Sequence, residues 1–150
     1  VKMLEPRIRV AGYVVRDREV PELLVFDHVG MPEAGTQIPA GGVRQGEELE
    51  SAVLREIAEE TGLVGVSVVE PMGVDRRPHP GTQQPRWTTY FHLRAPADSA
   101  DAWVHRVVSD DEDSGLVFAC RFVPLPLDIA LVDHQDAWLN RIVLPEGFRS

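Results

Sequence analysis

The sequence predicts a mixed α/β layered domain, and three observations carry that expectation. Strand-like apolar runs fill the first third of the chain. A single amphipathic helix follows a glycine-rich turn near the middle. More strand-like runs then lead to a last short helix. The 150 residues suit one domain, residues 1–150, large enough to bury about two-thirds of its unfolded surface.

The elements follow in order. Ile8, Val10, Gly12 and Val14 alternate with Arg9, Ala11, Tyr13 and Val15, the period of a strand. A polar turn over 17–21 leads to Leu23, Leu24, Val25 and Phe26, a continuous apolar run suited to a strand covered on both faces. A loop over 30–35 and a brief strand at Thr36–Ile38 precede the turn Pro39-Ala40-Gly41-Gly42. The helix is expected over about Leu49 to Glu60, burying Val53, Leu54, Ile57 and Ala58, with Gly62 as a left-handed stop. Strands are expected at 64–69, 87–94, 102–108 and 116–125, with a polar loop over 75–86. Asp133 is the expected N-cap of a C-terminal helix whose apolar residues are Ala137, Leu139, Ile142 and Val143.

Composition excludes several classes. With 43% hydrophobic and 26% charged residues the chain is neither disordered nor membrane-like, and no apolar run approaches the roughly 18 residues of a membrane span. A net charge of -9 argues against stable nucleic-acid binding, which needs a basic face. The lone Cys120 fits a reducing compartment, and the first twenty residues hold no apolar secretion segment. Cytoplasm is the expected location. The five histidines show no zinc spacing, and neither a G-x-S-x-G nor a P-loop lysine is present.

The chemistry concentrates in Gly41 to Leu63. A helix advances about 100° per residue, so Glu56, Glu59 and Glu60 fall within about a 100° arc. Like charges on one face repel unless a cation lies among them, which makes the trio a candidate metal site. Mg²⁺ takes hard oxygen ligands and commonly joins carboxylates to substrate phosphates. Arg55 can fix a neighbouring carboxylate through its bidentate fork, and Glu47 sits at the mouth of the helix. A bare Glu-x-x-Glu-Glu is commonly a solvated surface; the wider spacing sets this one apart.

That spacing resembles the Nudix box, G-x5-E-x7-R-E-U-x-E-E-x-G-U, where U is a bulky aliphatic residue. Gly41, Glu47, Arg55, Glu56, Ile57, Glu59, Glu60, Gly62 and Leu63 fill every fixed position. A chance match is on the order of one in a billion per window. The resemblance implies a Nudix-type α/β/α sandwich with a mixed sheet, a box helix and a C-terminal helix. It implies hydrolysis of a pyrophosphate bond in a nucleoside diphosphate linked to another group, with Mg²⁺ (or Mn²⁺) as cofactor. By the same resemblance Glu56, Glu59 and Glu60, with the backbone near Ala40 and Gly41, map to metal ligands. Arg55, Glu47, Glu56 and Glu59 belong to the catalytic set, one box glutamate or a later loop carboxylate serving as base.

Outside the box, Arg76, Arg77 and Arg86 are candidates to hold substrate phosphates. Asp111, Glu112 and Asp113 are candidates for an extra base or ligand. Trp87, Tyr90, Phe91 and Phe26 could stack on a base, although strand aromatics are more often core. The expected partner is a nucleotide-derived small molecule, with no membrane and with the oligomeric state, homodimer included, left open. Two alternatives stand beside hydrolysis: a nucleotide-sensing module without turnover, and an isoprenoid-type isomerase on the same fold. Among hydrolase substrates, ADP-ribose or nucleotide sugars and nucleoside triphosphates remain undivided.

Overall fold

The structure, a computed structural model, describes residues 5–109 and 114–142. Strands β1 (Arg7–Asp17), β2 (Pro21–His28) and β3 (Ala40–Gly42) precede helix α1 (Leu49–Thr61). Strands β4 (Ser67–Asp75), β5 (Arg86–Arg94), β6 (Ala102–Arg106) and β7 (Val117–Pro124) follow it. All seven join one sheet in the order β4-β5-β1-β2-β7-β6, with β3 beside β1. The β1–β5 pair is parallel and the other pairs are antiparallel, so the sheet is mixed as expected.

β1 is the organising strand. One edge pairs with β5 along nearly its whole length. The other edge is shared: Arg9 to Ala11 pair with β3, and Val15 to Asp17 pair with β2. The chain after β2 thereby brings its glycine turn against the start of β1.

Successive side chains on a strand point to opposite faces, and here both faces are covered. On one face Val10, Val14, Leu24, Phe26, Leu93, Phe118 and Cys120 pack under Ala52, Val53 and Ile57 of α1. On the other, Ala11, Tyr13, Leu23, Val25, Ile38 and Tyr90 pack under Leu131 and Ile142. This explains why the period-two pattern of β1 is apolar on both phases from Val10 to Val15.

Helix α1 agrees with its expected span and ends at Gly62 (φ 75°, ψ -2°), whose N–H donates to the Ala58 carbonyl. Its buried set differs from expectation. Ala52, Val53, Glu56, Ile57, Glu60 and Thr61 turn inward, whereas Leu54 is 36% exposed. Leu54 lies about 100° past Val53, which rotates it off the sheet-facing stripe. Two of the box glutamates occupy the flank of that stripe instead.

Two further expectations are corrected. The strand expected at 64–69 begins only at Ser67, after Gly65 takes a left-handed φ of 75°, and runs on to Asp75. It is an edge strand whose register shifts around Glu70 and between Pro71 and Gly73, the irregularity that accommodates a proline in a sheet. The expected C-terminal helix is absent among the described residues, Val143 lying outside them. Its place is taken by two 3-10 turns, Val132–His134 and Leu139–Arg141. Asp133 and His134 sit at φ 53° and 54°, left-handed values that cannot start an α-helix, and Asp133 caps nothing. This segment is held by its contacts: the Tyr13 hydroxyl donates to the Gln135 carbonyl, and the Ile38 N–H donates to Gln135 Oε1 at 2.9 Å. No helix among the described residues is long and apolar enough to cross a membrane.

Ile57 is fully buried between α1 and the sheet. Ile57→Ala is expected to cost about 2–5 kcal/mol, the scale of such core truncations, read as a lowered urea midpoint with an unchanged slope.

Candidate functional site

Arg55 stands at the centre of the site. Its Nε and Nη2 donate to the two carboxylate oxygens of Glu47 at 2.7 and 2.8 Å, a fork-to-fork pair. Nη1 donates to Glu56 Oε1 at 2.9 Å and to Glu59 Oε2 at 3.2 Å. Nη2 also donates to the Gly42 carbonyl at 2.9 Å, tying the helix to β3. Glu47 additionally accepts the Arg44 N–H at 3.0 Å. The hydrogen bonds from Arg55, with the nearby positive charges, pull the Glu47 carboxyl from an ordinary 4.5 down to about 2. The same contacts raise the Arg55 guanidinium further above its usual range. Glu47 is therefore a permanent anion that positions Arg55.

Two of the other three box carboxylates, Glu56 and Glu60, border open space. The Glu56 carboxyl lies directly over Gly41, where any Cβ would overlap it. A side chain at position 41 would push that carboxyl off its contact with Arg55. Glu60 Oε1 accepts the Ala40 N–H at 2.9 Å, fixing the helix to the turn from its other end. Glu59 turns to the side, held by Arg55 and by Arg44 Nη2 at 3.2 Å. Two side chains of β6 secure the C-terminal end of α1. Trp103 Nε1 donates to the Thr61 carbonyl at 2.7 Å, and His105 Nε2 lies 3.0 Å from the Glu59 carbonyl.

Glu56 and Glu60 form one wall of a cleft of about 820 Å³. Another part of the lining is basic: Arg7, Arg9 and Arg86, with Asp133 and Gln135 in the same lining. Arg86 Nη2 is held by both oxygens of Asp133 at 2.9 and 2.8 Å. Burial, followed by the charges of Arg86 and Arg7, lowers the Arg9 guanidinium below its usual range.

Of the residues singled out in the sequence, Gly41, Glu56, Glu60 and Arg86 meet in this cleft, and Arg55, Glu47 and Glu59 form the lock behind it. Arg76 lies elsewhere, over the Trp87 ring at 5.1 Å. Arg77 is tied to Asp75, its N–H donating to Oδ1 at 2.8 Å, in a small recess next to Arg86. Asp111, Glu112 and Asp113 lie outside the described residues. Phe26, Tyr90 and Phe91 are core. Sequence reasoning missed Arg7, Arg9, Gln37, Asp133 and Gln135 as cleft residues. The Arg7-x-Arg9 spacing at the start of a strand was the available signal for the first two, since alternate residues share a face.

A divalent cation is testable against this donor set. Among the described residues no three His, Cys, Asp or Glu side chains converge as a ready cage. Mg²⁺ does not need one, since it is commonly held by one or two carboxylates with waters and substrate phosphates. Glu56 and Glu60, facing the cleft beside a backbone kept free of any Cβ at Gly41, fit that requirement.

Comparison with known proteins gives a consistent result. The family model for the NUDIX domain matches residues 6–142. A curated relative, Nudix hydrolase 25 of Arabidopsis thaliana, is 37% identical over 68 residues, covering 45% of this chain and 31% of its own length. Among solved structures, a MutT NUDIX hydrolase from Burkholderia pseudomallei superposes with TM-score 0.66 at 23% identity, covering 93% of this chain and 99% of that one. A UDP-X diphosphatase superposes with TM-score 0.65 at 15% identity, covering 93% of this chain and 62% of that one. The chain thus spans less than two-thirds of the length of both the curated relative and the diphosphatase. The structural likenesses carry the fold.

The Glu47 lock has a pH signature. A carboxyl whose folded value is depressed contributes stability that is present above its unfolded value and lost as pH falls through the folded one. For Glu47 that window runs from 4.5 down to about 2. Glu47→Gln is expected to be less stable than the parent at pH 7, with the gap closing across this window. Urea midpoints measured between pH 7 and pH 2 test it; a gap independent of pH would contradict the assignment.

Proposed function

Since the chain belongs to the NUDIX domain family, we propose that it is a Mg²⁺- or Mn²⁺-dependent pyrophosphohydrolase acting on a nucleoside diphosphate linked to a further group. The observation that carries this reading is the division of labour within α1. Arg55 locks Glu47 and Glu59 and holds Glu56 by one oxygen, while Glu56 and Glu60 face the cleft. A purely structural helix has no need of carboxylates buried to 5% and 6% exposure beside an open cleft.

Glu56 and Glu60 would hold the cation, which when bound offsets phosphate charge and lowers the pKa of a coordinated water. The chain's own residues do the rest. Arg55 fixes the Glu56 carboxylate in one rotamer, so the ligand enters the reaction already oriented, as metal-binding side chains generally require. The Ala40 N–H does the same for Glu60. Arg86, held by Asp133, and the neighbouring Arg7 and Arg9 offer the anionic substrate positive charge from the same cleft. Attack of water on one phosphorus cleaves the anhydride and releases two phosphate-bearing products. The names of the relatives, a hydrolase and a UDP-X diphosphatase, support a nucleotide-linked substrate.

Glu60→Gln is expected to lower turnover at least about a hundredfold, the scale of losing a general base or an oriented metal ligand, with an unchanged circular dichroism spectrum. Products are scored from a panel of nucleoside triphosphates, nucleotide sugars and ADP-ribose with Mg²⁺ and Mn²⁺ in ¹⁸O-labelled water. Tight binding without incorporation of label across the panel would favour a nucleotide-sensing role instead.

A further inference from the structure

The sheet register assembles the basic wall. Arg7 pairs with Arg86 across the parallel β1–β5 ladder, and Arg9 is one repeat further along the same face. Arg9 is also the β1 partner of Gly42, and the Arg7 guanidinium lies so close to Gly42 that a Cβ there would come within 3.0 Å of its Nη2. Three guanidinium groups thereby line the cleft, and two of them, Arg7 and Arg9, lie beside the glycine turn that the Glu56 carboxyl covers. Like charges in proximity are unfavourable without an anion among them. Asp133 answers Arg86. Neither Arg7 nor Arg9 makes a side-chain hydrogen bond or ion pair with any described residue, and the burial and neighbouring charges at Arg9 disfavour its charged form. Two cations thus face open cleft with their donors unspent.

The lining is equally informative about what recognises the rest of a ligand. No Phe, Tyr or Trp lines this cleft among the described residues. The nearby large rings are committed elsewhere: Tyr13 and Tyr90 are buried under 4% exposed, Trp87 carries Arg76, and Trp138 covers Gly73. The one ring in the lining, His79, accepts the N–H groups of Gly81 and Thr82 at Nδ1 and so is spent on shaping its own loop. A nucleobase normally stacks on an aromatic face when a protein grips it. Guanidinium forks match phosphate oxygens instead.

We propose that Arg7 and Arg9 form a phosphate clamp, and that the protein selects its substrate by the length of a polyphosphate chain and not by the base. This rests on the pyrophosphohydrolase reading and deepens it: nucleoside triphosphates, with a terminal phosphate to fill the clamp, are preferred over nucleoside diphosphates joined to an uncharged sugar. The clamp residues are positioned by the β1–β5 and β1–β3 ladders, so they are in place before the ligand arrives.

The test uses the whole chain with Mg²⁺. For the parent, kcat/KM is expected to agree within about fivefold among ATP, GTP, CTP and UTP and to exceed that for ADP-glucose and UDP-glucose by at least about tenfold. Arg9→Met and Arg7→Gln keep the stems of the side chains and remove the forks. Each is expected to raise KM for the triphosphates about tenfold with kcat nearly retained, and to raise KM for the nucleotide sugars by a smaller factor. A second readout needs no turnover: calorimetric titration with inorganic tripolyphosphate, where each variant is expected to bind at least about tenfold more weakly than the parent. Unchanged tripolyphosphate affinity in both folded variants overturns the clamp. So does a preference above tenfold for one base, or a parent that favours the nucleotide sugars. Weakened tripolyphosphate binding in the variants together with no hydrolysis of any nucleotide by the parent would keep the clamp and remove the hydrolase reading. Thermal melts of both variants establish that the folded protein is being compared.

Discussion

The Arg55 guanidinium is the interaction on which the rest of the site depends. It is 15% exposed and joins three carboxylates of the box to the carbonyl of Gly42. Removing a charge from water is costly unless its donors are met, and here Glu47, Glu56, Glu59 and Gly42 meet them. The geometric consequence exceeds the energetic one. Because one planar fork serves both the helix and the turn before it, α1 cannot slide or rotate against β3 without breaking several charged hydrogen bonds together. The glutamates that face the cleft inherit that rigidity. Gly41 is the complementary constraint from the other side, since a Cβ there would push the Glu56 carboxyl off its contact with Arg55.

Rigidity of the helix would mean little if the helix floated, and its burial prevents that. Ala52, Val53 and Ile57 are fully buried against β1 and its neighbours. Its last carbonyls are met by Gly62, Trp103 and His105. The Trp103 and His105 contacts come from β6, an edge of the sheet in the strand order, so the helix bridges from the glycine turn to that edge. A metal or phosphate site gains most from ligands mounted on an element of this kind.

The parts of this molecule legible in the sequence are those in which the chemistry is local. Glu47, Arg55, Glu56 and Glu60 lie within fourteen residues on one turn and one helix, so local geometry places them together. The helix stop at Gly62 and most strands are equally local. The basic wall is a different matter. Arg9, Arg86 and Asp133 are far apart in the chain and meet only because β1 and β5 pair in parallel and the 131–142 segment folds back over Tyr13. No periodicity encodes that register. Arg76 and Arg77, candidates alongside Arg86, part company just past β4: Arg76 lies over Trp87, while Arg77 is tied to Asp75 in a recess next to Arg86. The C-terminal helix failed for a physical reason visible only in the fold. Asp133 is drawn into an ion pair with Arg86, and two left-handed residues replace the cap that a helix would have needed.

The distribution of charge joins these observations. The chain carries -9 overall, so an anionic ligand gains nothing from the protein as a whole at long range. At physiological ionic strength that repulsion is screened over roughly 8–10 Å. Within the cleft the negative excess disappears: Arg7, Arg9 and Arg86 are matched by Glu56, Glu60 and Asp133, while Arg55 binds up the carboxylates behind. Capture of a phosphate ligand as proposed would therefore depend on short-range forks and not on steering. Such a site discriminates by where oxygens sit along the ligand. The carboxylate wall and the arginine wall are fixed to the same glycine turn, Glu56 over Gly41 and Arg7 over Gly42. Both sets of side chains are thus tied to two adjacent residues of backbone, and in the proposed clamp those two residues set where a phosphate chain would meet carboxylate-held cation and guanidinium.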